Sequence, residues 1–331
     1  MLCTPIWFCY NLLMALLTLC VLTYNRPEFL RQSLQSILAQ SFTDFELVVV
    51  DNASDCDNQS LVESFHDPRL RYHRHATNIG VDGTWKYVFQ HYRQTPYLMA
   101  FHDDDLMHPD YLRQAIALLE SDKRIAIASS GFISFSGDPP PFSPVTEETA
   151  IYHSEAELIT DLLAERMGFH YAPVIYRTEY LSHFNYDRCA PYETYYIFGD
   201  RPWVLEFCRF GWMAVLPREY ILRRMHPGQD YFSPGLLEEH CFALYRRYRA
   251  ALAERWGDWR TRFLFYRKSA YFMLDHYFHR LDHRYRNTFF RFLRHGKQQG
   301  VIAYPYVLFY PLVNLRIWWR DRSKLTETGT H

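Results

Sequence analysis

Residues 97–112, YLMAFHDDDLMHPDYL, pass from an apolar run into three consecutive carboxylates and then, after Pro109, into a new helical pattern. Tyr97-Leu98-Met99-Ala100-Phe101 reads as a short buried strand, with Asp103, Asp104 and Asp105 at its mouth. Three adjacent anions repel one another, so directing them together costs free energy unless a hard cation or a set of donors compensates. If the stretch stays extended, Asp103 and Asp105 face one way and Asp104 the other. The competing reading is a solvated acidic turn, because Asp favours turns and helix starts.

Upstream, Leu17 to Tyr24 is another short apolar run. Asn25-Arg26-Pro27-Glu28 then supplies a helix start, with Asn as cap, Pro in the first turn and Glu three residues after the cap. Leu30, Leu34, Ile37 and Leu38 continue at helical spacing. Phe45 to Val50 is a strand rich in β-branched residues, ending at the polar loop Asp51-Asn52-Ala53-Ser54-Asp55. Arg69 to His73, Asn78-Ile79-Gly80 and a helix from Trp85 to Tyr92 lead back to the strand at 97–101. Beyond the triplet, Leu112, Ala115, Ile116 and Leu119 share one helical face. This alternation predicts an α/β fold on a mainly parallel, Rossmann-like sheet flanked by helices, with ligands at the carboxyl ends of its strands. Asp51 and the acidic triplet both stand at such ends.

Residues 125–135 read as one more strand, and 137–150, with Pro139, Pro140, Pro141 and Pro144, as a loop. From 151 to 235 helical pieces mix with loops. From 236 the chain reads mostly as helix, dense in Arg, Tyr, Phe and Trp. The expected organisation is a domain over 1–235, in halves 1–120 and 121–235, followed by a helical region over 236–331.

The formal net charge of −1 conceals an asymmetry. Residues 1–235 hold 18 Lys/Arg against 29 Asp/Glu, and residues 236–331 hold 18 against 8, so the two parts carry −11 and +10. A basic, aromatic tail on an acidic body suggests an anionic surface as partner, phospholipid or nucleic acid, or else a helical domain with a solvated basic face. The 18% of aromatic residues mark a folded chain. The seven cysteines are scattered with no Cys-x-x-Cys pair, which argues against a disulfide framework or structural zinc and fits a reducing cytosol. No His-Glu-x-x-His occurs among the 16 histidines. Residues 1–25 carry no charge, but without a basic n-region, and with Leu17 to Tyr24 reading as a strand, they do not read as a spanning helix. The apolar stretch 301–319 contains Pro305, Pro311 and Arg316 and reads as an interfacial segment or a docked helix.

The turn Thr23-Tyr24-Asn25-Arg26 lacks the glycines of a dinucleotide fingerprint, and no Gly-x-x-x-x-Gly-Lys-Ser/Thr loop occurs. A phosphate ligand at the strand ends would therefore be met by side chains and by a metal on the triplet, which makes a metal-bridged diphosphate the natural ligand. Such a diphosphate is also a good leaving group, because the metal stabilises the charge that develops as the bond breaks.

Five segments in order, LCVLTYNRPEFL (19–30), LQSILAQS (34–41), ELVVVDNASD (46–55), NIGVDGTWKYVF (78–89) and FHDDDLMHPDYL (101–112), resemble the successive motifs of family 2 glycosyltransferases, which have the GT-A fold. The resemblance spans roughly the first 120 residues. It implies inverting transfer of a sugar from a nucleotide diphosphate donor, often a UDP-sugar, with Mn²⁺ or Mg²⁺, onto a glycan or lipid-linked acceptor. On this resemblance, Thr23, Tyr24 and Arg26 would border the nucleotide and Asp51 would hydrogen-bond the base. Asn78, Gly80 and Lys86 would lie along the nucleotide. Asp103 would face the ribose and sugar side or the metal, Asp105 the metal, and Asp104 could exchange roles with either. His102 departs from the acidic residue that some members carry at its position.

Downstream, Gly199-Asp200 followed by Arg201-Pro202-Trp203 resembles the acidic motif that supplies the family's catalytic base. An inverting transfer needs one carboxylate near the acceptor hydroxyl to take its proton, and Asp200 is the candidate, with Glu193 in reserve and Glu179 a further acid nearby. Capping a helix is the alternative role for Asp200. Arg223-Arg224-Met225-His226 resembles the family's Arg-x-His element, so His226 would approach the metal or diphosphate and, with Arg224, neutralise leaving-group charge. A noncatalytic nucleotide-sugar-binding scaffold, a nucleotidyltransferase and a nucleic-acid binder are the competing readings. For the enzyme reading, the basic tail would rest on anionic membrane at the inner, cytoplasmic face.

Overall fold

Leu17–Thr23 forms β1, and its seven residues are all buried. It pairs in parallel with β2 (Phe45–Asp51) on one side and β4 (Tyr97–His102) on the other. Both faces are covered, so the run is apolar without alternation. The computed structural model describes residues 15–164, 166, 173–185, 200–226, 238–275 and 289–303.

Helix α1 (Pro27–Leu38) follows β1 and buries Leu30, Leu34 and Ile37 in the main core, beside Leu19, Val21, Leu47 and Val49. Each such side chain contributes about 1.5–3 kcal/mol by leaving water. Its N-cap is Arg26, one residue later than expected, with Pro27 at the first helical position and no side-chain cap bond. Asn25 has φ 55 and spends its side chain across the turn, accepting from Asp55 N at 2.7 Å through Oδ1. The cap shifts because Asn25 sits in the left-handed conformation that Asn tolerates.

After β2 come α2 (Asn58–Glu63), β3 (Leu70–Arg74) and α3 (Gly80–His91). After β4 come β5 (Leu106–Met107), α4 (Tyr111–Ser121), β6 (Ile125–Ser130), β7 (Ile133–Phe135) and β8 (Ala150–Tyr152). The remaining strands are β9 (Ile175–Arg177), β10 (Trp212–Leu216) and β11 (Ile221–Arg224). Eight strands form one sheet in the order β3-β2-β1-β4-β9-β6-β10-β8, and β5-β11-β7 form a second. The large sheet is α/β and mostly parallel, as expected, with β9 running antiparallel to both β4 and β6.

Two expectations are corrected. Residues 125–135 are two strands in different sheets, and the chain changes sheets at Gly131, where a Cβ would stand 2.9 Å from the Arg218 backbone. Residues 151–235, read as helices and loops, contribute β8, β9, β10 and β11. Strands of three to five residues carry too little pattern to separate from loop.

The chain divides into two compact units, residues 1–154 with 168–229, and residues 155–167 with 230–331. In the first, α6 (Asp200–Phe207) precedes β10. In the second, α5 (Glu155–Ala164) packs with α7 (Glu238–Ala251) and α8 (Trp259–Asp275), and α9 (Phe289–Gln298) follows. Asp258 opens α8 by accepting from Arg260 N and Thr261 N, both at 3.1 Å. Among the described residues no helix is long and apolar enough to cross a membrane. Residues 1–14 and 304–331 hold most of the two stretches weighed as membrane segments and lie outside the described residues.

Candidate active site

Thr23 and Asp51 are paired across β1 and β2, and Leu22 and His102 across β1 and β4. The carboxyl ends of three adjacent strands thus lie side by side, with the turn 103–105 beyond β4. Asp103, Asp104 and Asp105 are each less than 5% exposed. The triplet is therefore a turn, but a buried one, and the strand alternation that would have grouped Asp103 with Asp105 stops at His102.

Asp103 faces back to the first turn. The Thr23 hydroxyl donates to its Oδ2 at 2.7 Å and Arg26 Nη1 to its Oδ1 at 3.2 Å. Arg26 Nη1 also reaches Asp104 Oδ2 at 3.3 Å, where His226 Nε2 approaches to 3.0 Å. Asp105 Oδ1 accepts from the Arg224 backbone N–H at 3.0 Å, which ties the turn to β11. Burial and the neighbouring Asp104 charge push the Asp103 carboxyl up to about 7. Burial works in the same direction on Asp104, but the His226 hydrogen bond and the charges of His102 and Arg26 outweigh it and hold that carboxyl well below the usual range.

Asp104 Oδ1 is buried with no hydrogen-bond partner among the described residues. A bare buried carboxylate oxygen is costly, so the site asks for a further cation or donor. His102, Asp104 and Asp105 can each offer one ligand atom, all within 4.8 Å of one another. Two carboxylates and an imidazole suit a divalent ion such as Mn²⁺, so the residues fit the expected metal. In the sequence His102 stands out only as a departure, because the strand ends at His102 and spacing along the turn does not reveal that it faces Asp104 and Asp105.

The other expected residues distribute as follows. Asp51 is fully buried and accepts from Ser54 N at 2.7 Å, Asn58 Nδ2 at 2.8 Å and the Tyr72 hydroxyl at 2.8 Å, so its carboxylate shapes the loop after β2. Asn78 Oδ1 accepts from Asn52 Nδ2 at 2.9 Å and from Gly80 N at 2.8 Å, which fixes the start of α3 to that loop. Gly80 has φ 77, a conformation that favours glycine. Tyr24 is 43% exposed at the mouth of the site. Lys86 lies on α3, partly buried. Asp200 is the first residue of α6, but its side chain lies outside the described residues, as does Glu193. Glu179 lies beyond β9 in a short 3₁₀ turn, with Arg177 Nε at 3.8 Å.

Arg224 departs from its expected role. Its guanidinium donates to Asp104 O and to Gly137 O, each at 3.0 Å, and to Gln32, between the rings of Phe29 and Phe135. A buried fork engaged in this way braces the triplet from behind, while Arg26 and His226 meet the carboxylate of Asp104.

The profile described as Glycosyl transferase family 2 matches residues 18–180, which carry the ends of β1, β2 and β4 and the acidic triplet. The chain contains a family 2 glycosyl transferase domain. The EpsE protein of Bacillus subtilis (strain 168), named as a glycosyltransferase, is 25% identical to this chain over 115 residues. That match covers 34% of the chain and 41% of EpsE, less than half of the relative's length. The crystal structure of S. aureus TarS residues 1–349 in complex with UDP-GlcNAc superposes with a TM-score of 0.56 at 18% identity, covering 79% of this chain and 72% of that one. The same TarS region without ligand gives a TM-score of 0.53 at 19% identity, over 80% and 72%. Those likenesses show the GT-A fold of this family 2 domain.

Proposed function

We propose that the chain transfers a glycosyl group, with inversion, from a nucleoside diphosphate sugar to a hydroxyl of a glycan or lipid-linked acceptor, with the help of a divalent cation. The observation that carries this reading is the partnerless, buried Asp104 Oδ1 beside His102 and Asp105 at the end of β4. TarS is described with UDP-GlcNAc, which supports a UDP-sugar as donor.

In this reading His102, Asp104 and Asp105 hold Mn²⁺ or Mg²⁺, which supplies charge neutralisation for the departing diphosphate. Thr23, Tyr24 and Arg26 border the nucleotide, and the loop held by Asp51, with Asn78 and Gly80, forms its floor. Asp103, anchored by Thr23, orients the ribose and sugar side. His226 stands against Asp104 and donates toward negative charge on the leaving group. Asp200, at the head of α6, takes the acceptor proton.

The second unit supports peripheral contact with anionic membrane at the cytoplasmic face. On α8, Trp259 is 63% and Phe263 40% exposed, one turn apart, with Arg260 and Arg267 exposed beside them.

A thermal-shift screen of UDP-sugars with and without Mn²⁺ tests the reading. Ligand at about 100 times Kd adds about 2.7 kcal/mol to the stability of the folded form. The expected result is stabilisation by a UDP-sugar that requires Mn²⁺ and is lost in Asp104→Asn. Stabilisation equal in EDTA, or unchanged in Asp104→Asn, would refute the cation site.

A further inference from the structure

We propose that Arg26 is the resident counter-ion of the acidic triplet and couples cation binding to diphosphate binding, holding Asp103 and Asp104 until a nucleoside diphosphate draws it away. The inference rests on the metal and diphosphate reading and adds a residue that makes the two ligands bind as one.

Three observations carry it. Arg26 is the N-cap residue of α1, and because a guanidinium has no acceptor to offer the first helical N–H groups, its side chain turns instead to the triplet. Its backbone is pinned between Asn25 at φ 55 and Pro27 at the first helical position, so only the side chain has freedom to move. Through one nitrogen, Nη1, it bridges Asp103 Oδ1 and Asp104 Oδ2.

The two arginines that touch the triplet among the described residues differ in what they can do. Arg224 is 4% exposed and donates to two backbone carbonyls and Gln32, which makes it a fixed brace. Arg26 has a side chain 28% exposed, against 3% and 5% for its two acidic partners, so it has a path toward solvent while they do not.

Asp104 belongs to both arrangements, since it is bonded to Arg26 and is one of the three residues that could hold a cation. An ion arriving alone would have to share this carboxylate with a guanidinium, and like charges this close, in a water-poor turn, are weakly screened. A diphosphate changes the balance, because its oxygens match the planar guanidinium fork and draw Arg26 outward while also ligating the ion. Cation and diphosphate then each strengthen the other's binding, and thermodynamic linkage makes the effect reciprocal.

The test measures Mn²⁺ binding by electron paramagnetic resonance at pH 8, with and without UDP, for the wild type, Arg26→Gln and Arg26→Lys. In the wild type UDP should tighten Mn²⁺ binding about tenfold or more, within the usual span of coupled sites. Arg26→Gln should bind Mn²⁺ alone several-fold more tightly than the wild type, bind UDP more weakly, and lose most of the coupling. Arg26→Lys, which keeps the charge, should stay close to the wild type for Mn²⁺ alone. A purely structural role for Arg26 would weaken every affinity together, so equal or weaker Mn²⁺ binding by Arg26→Gln overturns the proposal while leaving the cation site standing. If neither wild type nor variant binds Mn²⁺, the cation reading fails and this inference with it.

Discussion

Asp103 and Asp104 share a turn, a burial and a bridging arginine, yet their proton affinities move in opposite directions. The cause is local. Asp104 has His226, His102 and Arg26 around it, whereas in Asp103 burial and the Asp104 charge outweigh what Arg26, the Thr23 hydroxyl and the Tyr24 backbone N–H offset. Because the Asp103 carboxyl is raised to about 7 in the folded protein, the folded form binds more protons than the unfolded chain above the ordinary carboxylate value of about 3.9. Stability associated with this group is complete below that value and is lost as pH rises toward 7. Thermal melts of the cation-free protein should therefore fall between pH 4 and pH 7, and Asp103→Asn, which mimics the protonated acid, should flatten that slope. An unchanged slope in the variant would show that Asp103 ionises normally. Asp104 acts in the opposite sense, stabilising above the ordinary value and losing that contribution on acidification below it.

At the scale of elements, the second sheet matters more than its small size suggests. β11 carries both Arg224, whose backbone N–H holds Asp105 and whose side chain holds the carbonyl of Asp104, and the approach to His226. A charge-assisted hydrogen bond contributes about 1.5–3 kcal/mol, so Arg224→Ala should lower stability by roughly that amount or more and weaken cation binding. Arg224→Lys should not restore it, because the three N–H groups of a lysine radiate from a single nitrogen, whereas Asp104, Gly137 and Gln32 are met by three separate nitrogens of the planar guanidinium. Denaturant melts of the two variants, with Mn²⁺ titrations, check both parts.

The elements also differ in how much of them the sequence discloses. Helices α1 and α4 and strands β1, β2 and β4 are legible because burial of one helical face or of both strand faces writes a long pattern into the chain. The triplet is legible as a site because an apolar run that gives way to three acids at once costs free energy unless something binds them. Its internal geometry is not, because the chain turns at Asp103 and alternation no longer applies. His102 is hard to recognise as a candidate ligand for the same reason, and Arg224 resembles a leaving-group residue because nothing local reveals that its partners lie on α1 and in the loop at Gly137. β9 is invisible: three residues whose pairing partners lie about 50 and 80 positions upstream leave no local trace.

For the whole molecule, the charge asymmetry acquires a location. The second unit presents Trp259 and Phe263 in one stripe of α8, flanked by exposed arginines, and α9 carries Arg291, Arg294 and Lys297 with no acidic residue. Aromatic side chains enter the headgroup region while basic residues each contribute about 1 kcal/mol against an anionic surface. Co-sedimentation with vesicles containing phosphatidylglycerol should show binding that weakens with salt, and Trp259→Ala with Phe263→Ala should reduce it about tenfold or more. Binding unaffected by the double substitution would place the contact elsewhere on the chain.

The antiparallel strand β9 has a consequence for how the protein is made. As the nascent chain leaves the ribosome, β1 to β4 can pair with one another, but β4 keeps a naked edge until residue 177 has emerged, and β6 has no place in the sheet before then. An open, flat, apolar edge is a template for pairing with other chains. Synthesis halted shortly before Ile175 should therefore yield an aggregating fragment, and three late residues act as the keystone that lets the earlier half close.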